Sequence, residues 1–228
     1  MEHTPYTVSD VMTQTVVAIG QEARFKEIVE TMEQWKVSAL PVLAGEGRVV
    51  GVVSEADLLP KEEFRENAPD RAEQLRRSDD VRKAGARTAG ELMSAPALTV
   101  HAGDTVAQAA RTMARKSVKR LPVVDGTGML QGIVSRSDLL KVFLRSDEDL
   151  AAEVRTEIVG RLFPRTPDEV AVHVTDGVVT LSGPIGDRAL MAVAARLVRA
   201  VEGVVDVTFE LTGPGRVRTW PEPTRSRS

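Results

Sequence analysis

Cysteine is absent from the 228-residue chain, which rules out disulfides, thiol catalysis and cysteine-based zinc sites. Aromatic residues supply only 4% of it, so a core drawn from its 42% of apolar residues is built mainly from Val, Leu, Ala and Met. No uninterrupted apolar run approaches the ~20 residues that span a bilayer. The opening Met1-Glu2-His3-Thr4-Pro5-Tyr6 lacks the basic-then-apolar order of a secretory signal. A basic excess is missing too: the formal net charge is −3, which argues against general nucleic-acid binding. His3, His101 and His173 stand far apart without metal-ligand spacing. No Walker loop, nucleophile elbow or spaced catalytic triad appears. These absences predict a soluble, cytoplasmic protein without an intrinsic metal, one that binds rather than catalyses.

What the chain does contain is an echo. Residues 7–59 recur as 88–140 at a constant offset of 81 and without a gap. Met12 falls on Met93, Leu40-Pro41-Val42 on Leu121-Pro122-Val123, and Gly51-Val52-Val53-Ser54-Glu55-Ala56-Asp57 on Gly132-Ile133-Val134-Ser135-Arg136-Ser137-Asp138. Such a repeat is one structural unit used twice, because a single copy cannot bury its apolar face alone. Within each copy a short β-like run (15–19, 97–100) precedes apolar residues at helical steps: Phe25, Ile28, Val29, Met32 and Trp35, then Val106, Ala109, Ala110 and Met113. Two further β-rich runs flank glycine-containing turns, and a second helix begins after Ser54 and Ser135. The unit is strand, helix, strand, strand, helix.

Ser54 and Ser135 sit where a strand becomes a helix, so unpaired N–H groups favour an anion there and the hydroxyl adds a donor. Ser-x-x-Asp is equally a capping box, in which Asp57 and Asp138 satisfy their own helix ends. The two roles are compatible, since a capped end is a rigid platform. Likewise Gly51 and Gly132 fit strand positions where another group packs closely.

The order of elements, the Leu-Pro-Val strand and the Gly-apolar-apolar-Ser-x-x-Asp run together resemble the CBS domain over residues 7–60 and 88–145. A tandem pair of this kind is similar to a Bateman module, with two repeats packed as a pseudo-two-fold pair. The resemblance implies an α/β (α+β) fold and an adenine nucleotide or S-adenosylmethionine bound between the repeats. It implies that Asp57 and Asp138 accept ribose hydroxyls and that Val17, Ala97 and Val118 lie near the base. Basic residues before the Leu-Pro-Val strand would reach phosphate; Lys119 and Arg120 match that pattern, whereas Ser38 and Ala39 do not. Arg136, beside Ser135, adds a cation. The expectation is therefore asymmetric: the Asp138 cleft, with Ser135, Lys119, Arg120 and Arg136, is the stronger site, and the Asp57–Ser54 cleft the weaker. Homodimerisation through the CBS helices is also implied.

Between the repeats, residues 61–87 mix both signs of charge with few apolar residues, the composition of a solvated helix or linker; a part in dimer contacts is the sharper alternative. After the second repeat (88–146) a new pattern begins. Leu150, Val154, Ile158 and Leu162 mark a helix; Val170, Val172 and Val174 lead through Thr175-Asp176-Gly177 into a second strand. Leu190, Val193, Ala194, Leu197 and Val201 mark another helix, and 204–211 a last strand. The runs 172–183 and 201–207 resemble a BON domain, which gives an organisation of CBS repeat 1 (1–60), linker (61–87), CBS repeat 2 (88–146), BON domain (147–212) and a basic, disordered tail (213–228). The BON resemblance implies phospholipid or protein attachment. Residues 147–212 hold twelve acidic and six basic side chains, a balance that an anionic membrane repels, so a protein partner fits at least as well as phospholipid.

Overall fold

The structure is a computed structural model, described for residues 6–65, 76–164, 169–184 and 187–211. The basic tail lies outside the described residues, as does the middle of the inter-repeat linker. The chain divides into two compact units, one formed by Thr7–Leu139 and the other by Met1–Tyr6 with Leu140–Ser228. Among the described residues no helix is long and apolar enough to cross a membrane.

In the first unit each repeat carries a three-stranded sheet. Strands β1 (Ile19–Gly20), β2 (Ala39–Ala44) and β3 (Arg48–Ser54) lie in the order β1-β2-β3; β4 (Val100–His101), β5 (Arg120–Val124) and β6 (Leu130–Ser135) repeat it. The first pair of each sheet is parallel and the second antiparallel. An amphipathic helix, Phe25–Trp35 or Val106–Lys116, makes the crossover. Both helices end on a left-handed residue, Lys36 at φ 53° and Ser117 at φ 55°, a conformation that closes the last turn. The runs expected as first strands shrink to two residues each. Only Ile19 and Gly20 find partners, opposite Val42 and Leu43, and only Val100 and His101 opposite Val123 and Val124.

The repeats complete one another. The short helix Val8–Val11 opens repeat 1, and its Val8 and Ser9 amides donate to Asp104 O and Ala102 O of repeat 2 at 2.8 and 3.0 Å. The helix Ala89–Leu92 returns the exchange: Ala89 and Gly90 donate to Ala23 O and Gln21 O at 2.9 and 2.8 Å. Every one of these positions maps onto its counterpart by the 81-residue offset, so the pairing is a pseudo-two-fold exchange of leading segments. Accordingly the core of repeat 1 (Ile28, Met32, Leu40, Val42, Val53) is closed by Ala86, Ala89 and Leu92. A lone copy would leave that apolar surface in water at roughly 25 cal/mol per Å². Met12 and Met93 cross in the same way, onto the faces of Gly132 and Gly51.

The second unit is an α+β sandwich. Helical residues Asp147–Glu153, Val154–Val159 and Gly160–Leu162 follow one another, the middle six in a π-turn. Strands β7 (Ala171–Thr175) and β8 (Val178–Gly183) form the hairpin read from Asp-Gly, with Asp176 at φ 50° and Gly177 at φ 74°, the backbone a tight two-residue turn needs. Asp147 accepts both turn amides at 2.9 Å, tying the hairpin to the first helix. Strand β9 (Asp206–Leu211) lies parallel to β8, and helix Arg188–Val198 buries Ala194 and Val198 against Val179 and Leu181. Residues 140–146, expected at the end of repeat 2, group with this second unit. Arg145 donates to Glu202 O at 2.8 Å and pairs with Glu153 at 2.6 Å, while Val142 O lies against Gly203.

Candidate functional site

A cleft of about 340 Å³ opens in the first unit where the two repeats meet. Repeat 1 contributes Ser38 and Ala39 at the start of β2, Val52 and Ser54 on β3, and Glu55, Ala56 and Asp57 just beyond it. Repeat 2 contributes Ser94, Ala95, Pro96 and Leu98 before β4, and Ser117, Val118, Lys119 and Arg120 where its helix turns into β5. The seam is fixed by backbone: Ser94 N donates to Val52 O at 2.9 Å, and Ala97 N to Val50 O at 3.3 Å.

Asp57 is the one buried charged residue among those described, with 7% of its surface exposed. Its Oδ2 accepts the Ser54 amide and the Ser54 hydroxyl, each at 2.7 Å. Its Oδ1 accepts the Lys83 ammonium, whose side chain is 12% exposed. Lys83 belongs to the linker helix Ser78–Gly85, which buries no residue of its own. That helix is tied down by polar contacts. Lys61 Nζ donates to Ala84 O at 2.8 Å, Arg82 to Glu91 O at 2.6 Å, and Arg77 bridges Glu63 and Asp80. The Arg77 guanidinium holds the exposed Glu63 carboxyl below the ordinary carboxylate range. The linker is thus no bland solvated tether over its described part; it delivers a cation to the site.

Repeat 2 has its own Ser-x-x-Asp junction. Asp138 Oδ2 accepts the Ser135 amide at 2.9 Å and hydroxyl at 2.6 Å, and the Asp138 amide donates back to Ser135 Oγ at 3.3 Å. Both junctions are therefore capped helix starts, as the motif allows. Arg136 donates its Nε to Val118 O at 3.1 Å, and its amide to Lys119 O, so it braces the loop that carries the basic pair.

The grouping differs from the expectation in one respect. Lys119, Arg120 and Val118 line the cleft that holds Ser54 and Asp57, whereas Ser135, Arg136, Asp138, Val17 and Ala97 are not in its lining. The repeats face each other, so the starts of both β2 and β5 line this cleft, while Arg120 also stands opposite Ser135 in the β5–β6 pair. The sequence pattern places Lys119, Arg120 and Arg136 with Asp138 alone and does not single out Lys83, Ser94, Pro96 or Leu98.

Two regions, 8–61 and 89–145, match the CBS domain model, and 146–213 matches the BON domain model. The chain belongs to the tandem CBS-domain proteins and carries a BON domain after the pair. It is 29% identical over 153 residues to the chloroplastic CBS domain-containing protein CBSX2 of Arabidopsis thaliana, covering 61% of this chain and 64% of that one. It is 30% identical over 161 residues to protein MJ1404 of Methanocaldococcus jannaschii, covering 71% of this chain but 37% of the relative. The chain thus spans less than two thirds of these relatives. Among solved structures, CBSX2 in complex with AMP matches at 30% identity and a TM-score of 0.54, over 61% of this chain and 97% of that one.

Proposed function

We propose that the chain is a regulatory binding protein whose CBS pair senses an adenosine-type nucleotide in the Asp57 cleft and relays occupancy through its BON domain. The observation that carries this reading is the convergence, in one cleft, of a buried carboxylate, an apolar wall and two cations. Asp57 would accept the ribose hydroxyls; Val52, Pro96, Leu98 and Val118 would flank the base; Lys119 and Arg120 would meet the phosphate. The AMP held by the related CBSX2 supports the same ligand class. Lys119 and Arg120 would attract the phosphate of AMP, ADP or ATP, a contact that S-adenosylmethionine, with a positive sulfonium and no phosphate, does not offer. The Asp138 junction is a secondary site, with Ser135 and Arg136 as its polar groups and Val17 and Ala97 as candidate base contacts. Relay to a protein partner requires that the ligand bind two arrangements of the pair with different affinity.

A calorimetric and thermal-shift screen with AMP, ADP, ATP and S-adenosylmethionine tests this reading. A phosphorylated member should bind, and Asp57→Asn should weaken it by at least about tenfold, the loss expected for hydrogen bonds to a charged group. Asp138→Asn should change it less. Equal losses, or a larger loss at Asp138, would reverse the assignment.

A second reading is a ligand-free dimeric scaffold, with the BON domain meeting protein or phospholipid. It is favoured by the exposure of Leu59 (64%) and Leu140 (61%), equivalent positions of the two repeats. A stable dimer in light scattering together with silence in the ligand screen would select it.

A further inference from the structure

The acid of the cleft is paired with a cation that neither repeat encodes. A carboxylate offers about four acceptor positions, and Asp57 already fills three, with the Ser54 amide, the Ser54 hydroxyl and Lys83. One position is open to a ligand hydroxyl. A second becomes open when the Ser54 hydroxyl rotates away and a ligand hydroxyl takes its place on Oδ2. Lys83 cannot yield in the same manner. A neutral diol brings no charge, so displacing the ammonium would leave a buried carboxylate uncompensated. Lys83 and a bound ligand must therefore share Asp57.

The consequence is electrostatic. Lys119 and Arg120 on the lining are balanced by Glu55 and Asp57. Lys83 is not itself a lining residue; it reaches Asp57 from the linker side and tips that balance to positive. We infer that Lys83 is the positioning and charge-setting residue of the cleft, which makes the site select a phosphorylated nucleoside over the neutral nucleoside. The inference rests on the nucleotide-binding reading above and adds to it the residue that decides ligand charge. The linker helix buries nothing, and its polar ties serve to hold Lys83 in place.

The test compares AMP and adenosine as probes on the full chain by titration calorimetry, for the unchanged protein, Lys83→Met, Lys83→Gln and Lys83→Arg. The unchanged protein should bind AMP more tightly than adenosine. Lys83→Met should shrink that ratio by about an order of magnitude, mainly through AMP, and Lys83→Arg should restore it. Lys83→Gln keeps a donor for Asp57 without the charge, so it should lose the ratio while still binding adenosine; it also carries the test should Lys83→Met not fold. An AMP-to-adenosine ratio that survives Lys83→Gln, or proportionate loss of both probes, overturns the inference while leaving nucleotide binding intact. Tighter binding of adenosine than of AMP by the unchanged protein overturns it as well. Silence of the unchanged protein toward both probes overturns the underlying reading and the inference with it.

Discussion

Asp57→Ala should lower the stability of the first unit by about 3–5 kcal/mol, the cost of removing one partner from a buried ion pair. The side chains of Lys83 and Asp57 are 12% and 10% exposed, so solvent does little to rescue the ammonium left behind. The same change strips the Ser54 amide and hydroxyl of their shared acceptor. Replacing both members, as Asp57→Leu with Lys83→Met, leaves no buried charge and should recover most of the loss, because buried pairs are often matched by apolar residues of similar volume. Ligand binding should not return in the double variant. Urea melts and ligand titrations on the three proteins separate the two roles. If the double variant were as unstable as the single one, the pair would not be the source of the effect. If it bound AMP as the unchanged protein does, Asp57 would not be the ligand's acid.

Gly132→Val should destabilise the same unit by about 2–3 kcal/mol, the upper part of the range for overpacking. A Cβ at this position would stand 2.8 Å from Met12 Sδ and 2.9 Å from Thr13 O. The methionine can swing aside; the carbonyl cannot. Thr13 and Ile133 exchange both backbone hydrogen bonds at 2.9 Å, so relief requires parting the segment that repeat 1 lends to repeat 2. Gly126→Ala is the matched control. No atom lies within 4 Å of its added Cβ and its backbone has no left-handed strain, so its effect should stay within about 0.5 kcal/mol. Thermal melts that ranked the two substitutions equally would refute the exchange as the source of the strain.

The repeat architecture was legible because identity at a fixed offset survives whatever the copies have lost elsewhere. The β-hairpin of the second unit was legible from Asp176-Gly177, whose backbone demands few residue types can meet. The first strands were overextended for the opposite reason. Residues 15–18 have strand-forming composition, but a strand exists only where a partner offers hydrogen bonds, and Val42 and Leu43 offer them to Ile19 and Gly20 alone. In the site, residue types were readable and their grouping was not. Lys119 and Arg120 precede Leu121-Pro122-Val123 in sequence, but which acid they face depends on how two repeats pack, a long-range property that no local pattern encodes. Lys83 was hidden by its surroundings. A charge-dense linker looks solvated throughout, and one lysine among several charges carries no mark that it pairs with Asp57.

The most direct measurement is an amide NMR titration of the full chain with AMP. The account predicts that Ser54, Asp57, Val118, Lys119 and Arg120 shift together and saturate with one affinity. Shifts confined to the stretch from Ser135 to Asp138, or no saturable shift in either repeat, would contradict it.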